Sequence, residues 1–207
     1  MENGDKIILD LCGGTGAWSK PYKDAGYDVR VVTLPEYDVR KSYVQSACIR
    51  LKPYGILVAP PCTMFSLART KARYPRDLQE GMECVRACLN IIWTCQEIKQ
   101  ETRRKTTNLK FWALENPARS LLKNFLGEPP FVFTPWEFGD GYKKDTAIWG
   151  NFNHPKKTYF GAGDKLKKFD RLKTKEIHPE FYGKLTRQER RAITPKGFAE
   201  AFFDSNR

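Results

Sequence analysis

A cysteine at position 62 has the sequence context of a nucleophile. It follows two prolines, in Pro60-Pro61-Cys62, at the end of an apolar segment. Because a proline ring fixes φ and removes a backbone donor, the pair restricts the direction in which the next side chain leaves the chain. A thiol presented in this way suits nucleophilic attack. The alternative interpretation is a small residue in a tight loop.

A carboxyl group follows a second apolar segment. Glu115 opens the sequence Glu115-Asn116-Pro117, directly after the segment 110–114. If the two apolar segments are neighbouring strands, this carboxyl group comes close to the thiol of Cys62 and can bind the edge of a base. A surface glutamate or a helix cap is the alternative interpretation.

A glycine-rich turn lies near the start of the chain, between an apolar run and a helical pattern. Gly13, Gly14 and Gly16 let the backbone approach a ligand closely, and the following helix N-terminus suits a carboxylate. The turn lacks the Gly-Lys-Ser/Thr ending of a phosphate loop and the full G-x-G-x-x-G spacing of a dinucleotide site. A purely structural turn is the alternative.

These three motifs require a sheet whose strands end side by side. Apolar and β-branched runs predict strands at 6–11, 29–34, 55–59 and 110–114. Helical patterns lie between them, at 17–25, 41–50 and 76–104. The strands are therefore expected to be parallel, and ligands bind at the carboxyl edge of such sheets.

The C-terminal third has a different character. Aromatic, proline-punctuated segments at 131–133 and 146–149 predict antiparallel strands. The stretch from about 153 to 185 is rich in lysine and predicts a basic loop or small lobe. A final helix is predicted with Thr194 as N-cap and Pro195 at its first position. We expect a single catalytic domain over residues 1–207.

The composition indicates a soluble globular protein with a polyanionic partner. Hydrophobic residues make up 41% and aromatic residues 13% of the chain, and no run approaches the roughly 18 apolar residues of a membrane helix. Without an export signal or membrane segment, we expect a cytoplasmic protein that does not bind membranes. The net charge of +12 favours nucleic acid, because each neutralised phosphate releases counterions. A solvated basic surface is the alternative.

The six cysteines are expected to be free thiols. They form no C-x-x-C pair, and with only two histidines in the chain no metal site is expected. Cys84, Cys88 and Cys95 recur at helical spacing, which predicts buried core positions.

The three motifs, in this order, resemble those of the DNA cytosine-C5 methyltransferase family. The matching residues are Asp10-Leu11-Cys12-Gly13-Gly14-Thr15-Gly16, Pro60-Pro61-Cys62 with Phe65-Ser66, and Glu115-Asn116. The similarity spans roughly the first 120 residues. It implies an α/β, Rossmann-like class I methyltransferase fold with a mostly parallel sheet, a C-terminal antiparallel hairpin and helices on both faces. It also implies S-adenosylmethionine as cofactor and DNA as partner.

The resemblance assigns roles to individual residues. In the family a cysteine thiolate adds to C6 of cytosine, and a glutamate contacts N3 and the exocyclic amine. The resemblance assigns these roles to Cys62 and Glu115. The family's arginine motif is absent, and Lys143 or Lys144 can replace it, with Lys144 as the third catalytic residue; solvated lysines in a hairpin are the alternative interpretation. The substrate-binding residues implied are Pro61, Ser66, Asn116 and Lys143. The cofactor-binding residues implied are Asp10, Leu11, Cys12, Gly13, Gly14, Thr15, Gly16, Leu34, Asp38, Val39 and Pro60.

The sequence departs from the family in three places. Leu34 stands where a glutamate usually binds the ribose, with Glu36 as a substitute, and Asp38-Val39 resembles the family's Asp-Ile pair at the adenine. The short spacing from Leu34 to Asp38 predicts a sheet that lacks one edge strand, and an open adenosine pocket. The chain has no room for a target-recognition domain of the usual extent. We therefore expect weak sequence specificity, as in a trimmed enzyme of a phage or mobile element acting in a bacterial cell.

Three other functions stay open. The same chemistry on RNA or on a free nucleotide such as dCMP is favoured by the missing recognition domain. A carboxylated sulfonium donor would suit an open cofactor pocket near lysines. A non-catalytic DNA-binding relic of the fold is opposed by the intact Cys62 and Glu115.

Overall fold

A sheet of parallel strands forms the centre of the molecule in this computed structural model, which describes residues 2–68, 74–97, 108–159, 167–168 and 179–207. The strands in these residues are β1 (Ile7–Leu11), β2 (Asp28–Val32), β3 (Gly55–Val58), β4 (Phe111–Pro117), β5 (Phe131–Phe133), β6 (Tyr142–Lys143), β7 (Thr146–Asn151) and β8 (Lys167–Lys168). Six of them form one sheet in the order β2-β1-β3-β4-β7-β5, while β6 pairs with β8.

The direction of the strands follows the chain connections. β1 pairs in parallel with β2 and β3, and β3 pairs in parallel with β4. β7 runs antiparallel to both of its neighbours, β4 and β5. One reversed strand therefore lies within an otherwise parallel sheet, and the carboxyl ends of β1, β3 and β4 meet at one edge.

Helices cover both faces of this sheet. They are α1 (Lys20–Asp24), α2 (Ser42–Arg50), α3 (Leu78–Glu97), α4 (Lys123–Leu126), α5 (Arg187–Ala192) and α6 (Lys196–Ser205). Because successive strand residues point to opposite faces, Leu9 packs with α2 and α3 on one side and Ile8 with α1 and α6 on the other. On the second side, the ring of Phe198 from α6 stacks on Phe133, with ring centroids 3.9 Å apart.

This arrangement confirms the predicted fold class, a Rossmann-like α/β fold with a mostly parallel sheet. The predicted loss of an edge strand is also confirmed within the described residues, since the chain passes from β2 to α2 without another strand. No helix in these residues is long and apolar enough to cross a bilayer.

Several predicted boundaries are wrong. The helix predicted at 17–25 spans Lys20–Asp24, and the strand predicted at 29–34 ends at Val32. The segment Glu115-Asn116-Pro117 belongs to β4 rather than to a loop, because β7 pairs along it as far as Thr146 opposite Pro117. The last helix begins at Lys196 with Pro195 as its N-cap residue, and its first turn is capped from a distance by Asp140. The predicted helix beyond 97 and most of the basic stretch 153–185 lie outside the described residues.

Candidate active site

Cys62 lies in a loop at the carboxyl end of β3. This loop starts alongside β1, since the amide of Ala59 donates to the carbonyl oxygen of Leu11 at 3.0 Å. The carbonyl oxygen of Cys62 accepts hydrogen bonds from the amides of Phe65 and Ser66, at 3.0 and 2.8 Å. These bonds close a turn directly after the cysteine, so its backbone is held, and the residue as a whole is partly exposed.

The far end of the loop is bound to the chain that follows β4. The amide of Leu67 donates to the carbonyl oxygen of Arg119 at 3.1 Å, and the amide of Leu121 donates to that of Phe65 at 2.9 Å. Backbone hydrogen bonds of this kind extend the sheet edge beyond the strands themselves. The loop that carries Cys62 is therefore tied to the strand that carries Glu115.

Arg76 adds a further clamp on this loop. Its guanidinium donates to the carbonyl oxygens of Met64 and Ser66, at 2.9 and 2.8 Å. Sequence reasoning missed this residue, because a basic residue before a helix carries no sign of the carbonyl groups that it will bind.

Asn116 joins β4 to the start of the same loop. Its buried side chain donates from Nδ2 to the carbonyl oxygen of Pro60 at 3.4 Å and accepts at Oδ1 from the hydroxyl of Ser120 at 2.9 Å. Both ends of the amide are thus engaged with the protein, which fits a role in positioning Pro60. The substrate contact predicted for Asn116 stays a prediction.

Glu115 and Lys144 share the electrostatic environment of Cys62. Burial raises the pKa of the Cys62 thiol and the charge of Glu115 raises it further, while the charge of Lys144 lowers it. Burial also raises the pKa of Glu115, against the opposing effect of Lys144. The pKa of Lys144 is lowered by burial and raised by the charges of Glu115 and Cys62. The three predicted catalytic side chains, from three separate segments, therefore interact electrostatically.

The C-terminal segment completes this group with two residues that sequence reasoning missed. The ammonium of Lys144 donates to the carbonyl oxygen of Ile193 at 3.0 Å. The exposed Arg191 lowers the pKa values of both Cys62 and Lys144. Nothing in the local sequence distinguishes Arg191 from the other basic residues around it, so only the fold reveals its position.

The side chains of Cys62, Glu115 and Lys144 together can carry out nucleophilic addition to a ring with proton transfer. The thiol of a partly exposed cysteine can add to an electron-poor ring that lies against it. A neighbouring carboxyl group with a raised pKa holds its proton more readily than an exposed one, so Glu115 can donate that proton to a ring nitrogen. Lys144 supplies positive charge where a thiolate or a carboxylate forms.

The glycine turn after β1 has an open face above a buried carboxyl group. Asp10 is fully buried, and its Oδ2 accepts from the hydroxyl of Ser19 at 2.5 Å. Its Oδ1 has no hydrogen-bond partner in the described part of the chain. Burial raises the pKa of Asp10 to about 6, against the hydrogen bond from Ser19. A Cβ on Gly13 would lie 2.3 Å from this carboxyl group, whereas one on Gly14 would meet nothing within 4 Å.

The remaining turn residues predicted to bind the cofactor differ in exposure. Leu11 is buried in the core, and Thr15 and Gly16 lie partly buried on the turn. Gly16 needs its glycine, because its φ of 69° is a conformation that other residues rarely adopt. Cys12 also has a positive φ, of 58°, and its thiol points toward α3.

The residues predicted to bind the adenosine half of the cofactor are less available for binding than those of the glycine turn. Leu34 lies beyond the end of β2 and is 62% exposed, and Val39 is buried in the core. Arg40 donates from its guanidinium to both carboxyl oxygens of Asp38, at 2.9 and 2.8 Å, and lowers the pKa of that carboxyl group. The acid predicted at the adenine amine is thus already paired with a cation of its own chain.

The predicted substrate-binding residues around Cys62 lie at the surface of the same edge. Pro61 is exposed and Ser66 is partly buried, with its hydroxyl accepting from the amide of Ala68 at 3.3 Å. Pro60 is buried beneath them. Lys143 is exposed on β6, next in sequence to Lys144.

Comparison with protein-family models and with curated proteins gave no match. Among solved structures, the chain is similar to the crystal structure of a triple mutant of DNMT2 from Spodoptera frugiperda, with 16% sequence identity and a TM-score of 0.42. The similar region covers 81% of this chain and 55% of that chain, so this protein spans about half the length of the DNMT2 structure. The function is therefore inferred from the side chains of the site.

Proposed function

We propose that the protein transfers a methyl group from S-adenosylmethionine to C5 of cytosine in DNA, through a covalent bond between Cys62 and C6 of the base. One observation carries the proposal: the thiol of Cys62, the carboxyl group of Glu115 and the ammonium of Lys144 interact electrostatically at the carboxyl edge of the sheet. Parallel α/β sheets bind their ligands at that edge.

Methylation of cytosine at C5 requires a nucleophile and a proton donor, which Cys62 and Glu115 supply in this proposal. C5 of the ring is a weak nucleophile, so the thiolate of Cys62 first forms a bond to C6 while Glu115 gives a proton to N3. The resulting enamine carries its electron pair to C5. When bound, S-adenosylmethionine supplies an electrophilic methyl group to that carbon. A base or water then removes the C5 proton, the bond between sulfur and C6 breaks, and N3 returns its proton to Glu115.

The two catalytic side chains of this scheme are coupled by their charges. An ionised Glu115 raises the pKa of Cys62 and so keeps the thiol protonated. A Glu115 whose proton is held or shared with N3 no longer opposes the thiolate. A protonated Glu115 therefore favours the thiolate of Cys62, and the charge of Lys144 lowers the pKa of the thiol as well.

The glycine turn fits the methionine half of the cofactor. The buried Oδ1 of Asp10 lacks a partner in the described residues, and an ammonium group supplies the donor that it needs. The open space above Gly14 admits a ligand close to the backbone. The adenosine half has a poorer fit, because Asp38 is paired with Arg40 and Leu34 offers no polar group.

DNA is proposed as the substrate on the basis of charge. The net charge of +12 favours a polyanion over a mononucleotide. Exposed lysines such as Lys143 bind phosphate without reading sequence, so the preference for flanking bases is weak or very short. The target base must leave the duplex to lie against Cys62, which costs a few kcal/mol.

The decisive experiment identifies the product. The protein is incubated with S-adenosylmethionine and unmodified DNA, the DNA is digested, and the nucleosides are identified by mass. We expect 5-methylcytosine from the wild type and from Cys95→Ala, which removes a thiol outside the site, and none from Cys62→Ala. If wild-type protein that binds the cofactor makes no modified pyrimidine, the proposal is wrong.

A trapping experiment tests the covalent step by itself. In DNA that contains 5-fluorocytosine, the fluorine at C5 cannot leave as a cation, so the adduct should persist after methyl transfer. We expect a stable complex whose peptide map places the nucleotide on Cys62. A complex on another residue would exclude the proposed nucleophile.

The same assay separates the other substrates and donors. Product in RNA or in dCMP, with none in DNA, would replace the proposed substrate and keep the chemistry. A mass increase larger than one methyl group would identify a carboxylated donor. Steep loss of DNA binding with added salt is the expected sign of a polyanionic substrate.

A further inference from the structure

Three thiols from two distant segments meet beside the glycine turn. The Sγ of Cys12 lies 3.4 Å from that of Cys84 and 4.0 Å from that of Cys88, and all three sulfur atoms lie within 4.8 Å of one another. Cys84 and Cys88 are one turn apart on α3, so they present their sulfur atoms on the same face toward Cys12. All three are free cysteines.

The backbone of Cys12 is an independent sign that its thiol matters. Its φ of 58° lies in the left-handed region, which costs a residue other than glycine on the order of 1–2 kcal/mol. Glycine occupies the neighbouring positions 13, 14 and 16, so the strained position in this turn is the one that keeps a sulfur atom. Strain retained at a single residue points to a functional requirement for its side chain.

We infer that Cys12, Cys84 and Cys88 form a binding site for one thiophilic metal ion of the Zn²⁺ or Cu⁺ type. Zinc–sulfur bonds of about 2.3 Å place three sulfur ligands roughly 3.8–4.0 Å apart, and the observed separations bracket that value. A ligand set of sulfur alone selects soft ions over Mg²⁺ or Ca²⁺. Each thiol gives up its proton when the ion binds.

The surroundings support such a site. Cys88 is buried while Cys12 and Cys84 are partly exposed, so the ion has an entry path from one side. Arg40 and Asp38, which are paired with each other, act on Cys84 with opposite charges, so this ion pair leaves little net charge at the site. The ion would link the turn after β1 to α3. The site involves none of the three catalytic residues, and it shares Cys12 with the turn that is proposed to hold the cofactor.

Metal titration of the reduced, chelator-treated protein tests the inference. Cd²⁺ serves as the spectroscopic probe for Zn²⁺, because bonds between thiolate and cadmium absorb in the ultraviolet, and a second titration uses Cu⁺ against a competing chelator. We expect one ion per chain, release of thiol protons, and Zn²⁺ binding that competes with Cd²⁺. Binding of Cu⁺ alone would assign the site to copper.

Matched variants locate the ion. Cys84→Ser and Cys88→Ala should each weaken binding by at least about tenfold, since even the loss of an outer-shell partner costs that much. Cys48→Ala and Cys95→Ala remove buried thiols on the same face of the sheet and should leave affinity unchanged. Circular dichroism confirms that Cys84→Ser, at a partly exposed position, keeps the fold. No thiolate–metal absorption, or absorption that survives Cys84→Ser and Cys88→Ala or disappears in Cys62→Ala, would overturn the inference.

Discussion

Lys144 donates a hydrogen bond to the carbonyl oxygen of Ile193 at 3.0 Å, across 49 residues of chain. The bond fixes the position of the ammonium of Lys144, whose charge acts on Glu115 and Cys62. Burial removes water from the ammonium and lowers its pKa, while the charge of Glu115 raises it, and the carbonyl oxygen of Ile193 supplies a hydrogen-bond acceptor in place of water. The segment before α6 thus determines where the cation of the site lies.

Replacing Lys144 by methionine should raise the pKa of Cys62, because the ammonium lowers it. Thiolate is the form that reacts with iodoacetamide, so alkylation of Cys62 at pH 7 should slow by about three- to tenfold. Peptide mapping of the alkylated product over a range of pH measures this change. Lys143→Met is the control, because it replaces the exposed lysine that precedes Lys144. It should leave the pH dependence of Cys62 alkylation unchanged. An unchanged profile in Lys144→Met would remove Lys144 from the site.

Replacing Glu115 by glutamine should change alkylation and methyl transfer in opposite directions. The charge of an ionised Glu115 raises the pKa of Cys62, so the variant should alkylate faster at any pH at which Glu115 of the wild type is ionised. Its proton is needed at N3, so methyl transfer should fall by about 10²- to 10⁴-fold. The two assays on one preparation measure both changes. Glu128→Gln, at an exposed ion pair with Lys123, is the matched control and should alter neither rate. A fall in both rates would indicate a damaged site instead of a missing proton donor.

The parts of the site that are local in sequence could be predicted. The proline pair before Cys62 and the glycine turn after β1 act through the conformation of adjacent residues, and apolar runs were sufficient to find the strands that carry them. The extent of β4 could not be found this way, because Glu115-Asn116-Pro117 is strand only through its pairing with β7.

The contacts that join distant segments were beyond sequence reasoning. Cys84 has the spacing of a core residue on α3, and only the packing of that helix on the sheet brings it to Cys12. Arg191 lies among other basic residues, and only the fold places it near Cys62. Contacts between residues that are distant in sequence depend on the topology of the whole fold, and local sequence patterns do not reveal that topology.

Asn116 should prove to be a positioning residue. Asn116→Ala leaves the carbonyl oxygen of Pro60 and the hydroxyl of Ser120 without their partner, so we expect a loss of about 2–3 kcal/mol in the free energy of unfolding. Denaturant unfolding measures that loss. Ser120→Ala removes both bonds of its hydroxyl, the one to Asn116 and the one from the amide of Leu122, but keeps the bond from Asn116 to Pro60, so it is the control for the Pro60 contact. If Asn116→Ala unfolds like the wild type yet loses substrate affinity, the residue binds substrate directly.

Asp140 should make the stability of the fold depend on pH. Its Oδ2 accepts from the amide of Gly197 in the first turn of α6 at 3.0 Å, and burial raises its pKa from 3.8 to about 6. The folded protein therefore holds this proton more tightly than the unfolded chain does. The contribution of Asp140 to stability is most favourable below pH 4, declines between pH 4 and 6, and is constant above.

Asp140→Asn should abolish that part of the pH dependence, because the amide oxygen of asparagine can still accept from Gly197 and carries no charge. We expect the variant to be more stable than the wild type at pH 7, by on the order of 1 kcal/mol after allowance for the partial exposure of the group, and nearly equal at pH 4. Urea unfolding of both proteins from pH 4 to 8 measures the difference in their free energies of unfolding. The effects of the other titrating groups are the same in both proteins and cancel in this difference. Asp24→Asn, at an exposed ion pair with Lys20, should shift stability little at any pH. A variant that loses stability at pH 7 but not at pH 4 would mean that the ionised carboxylate is the favoured cap of α6.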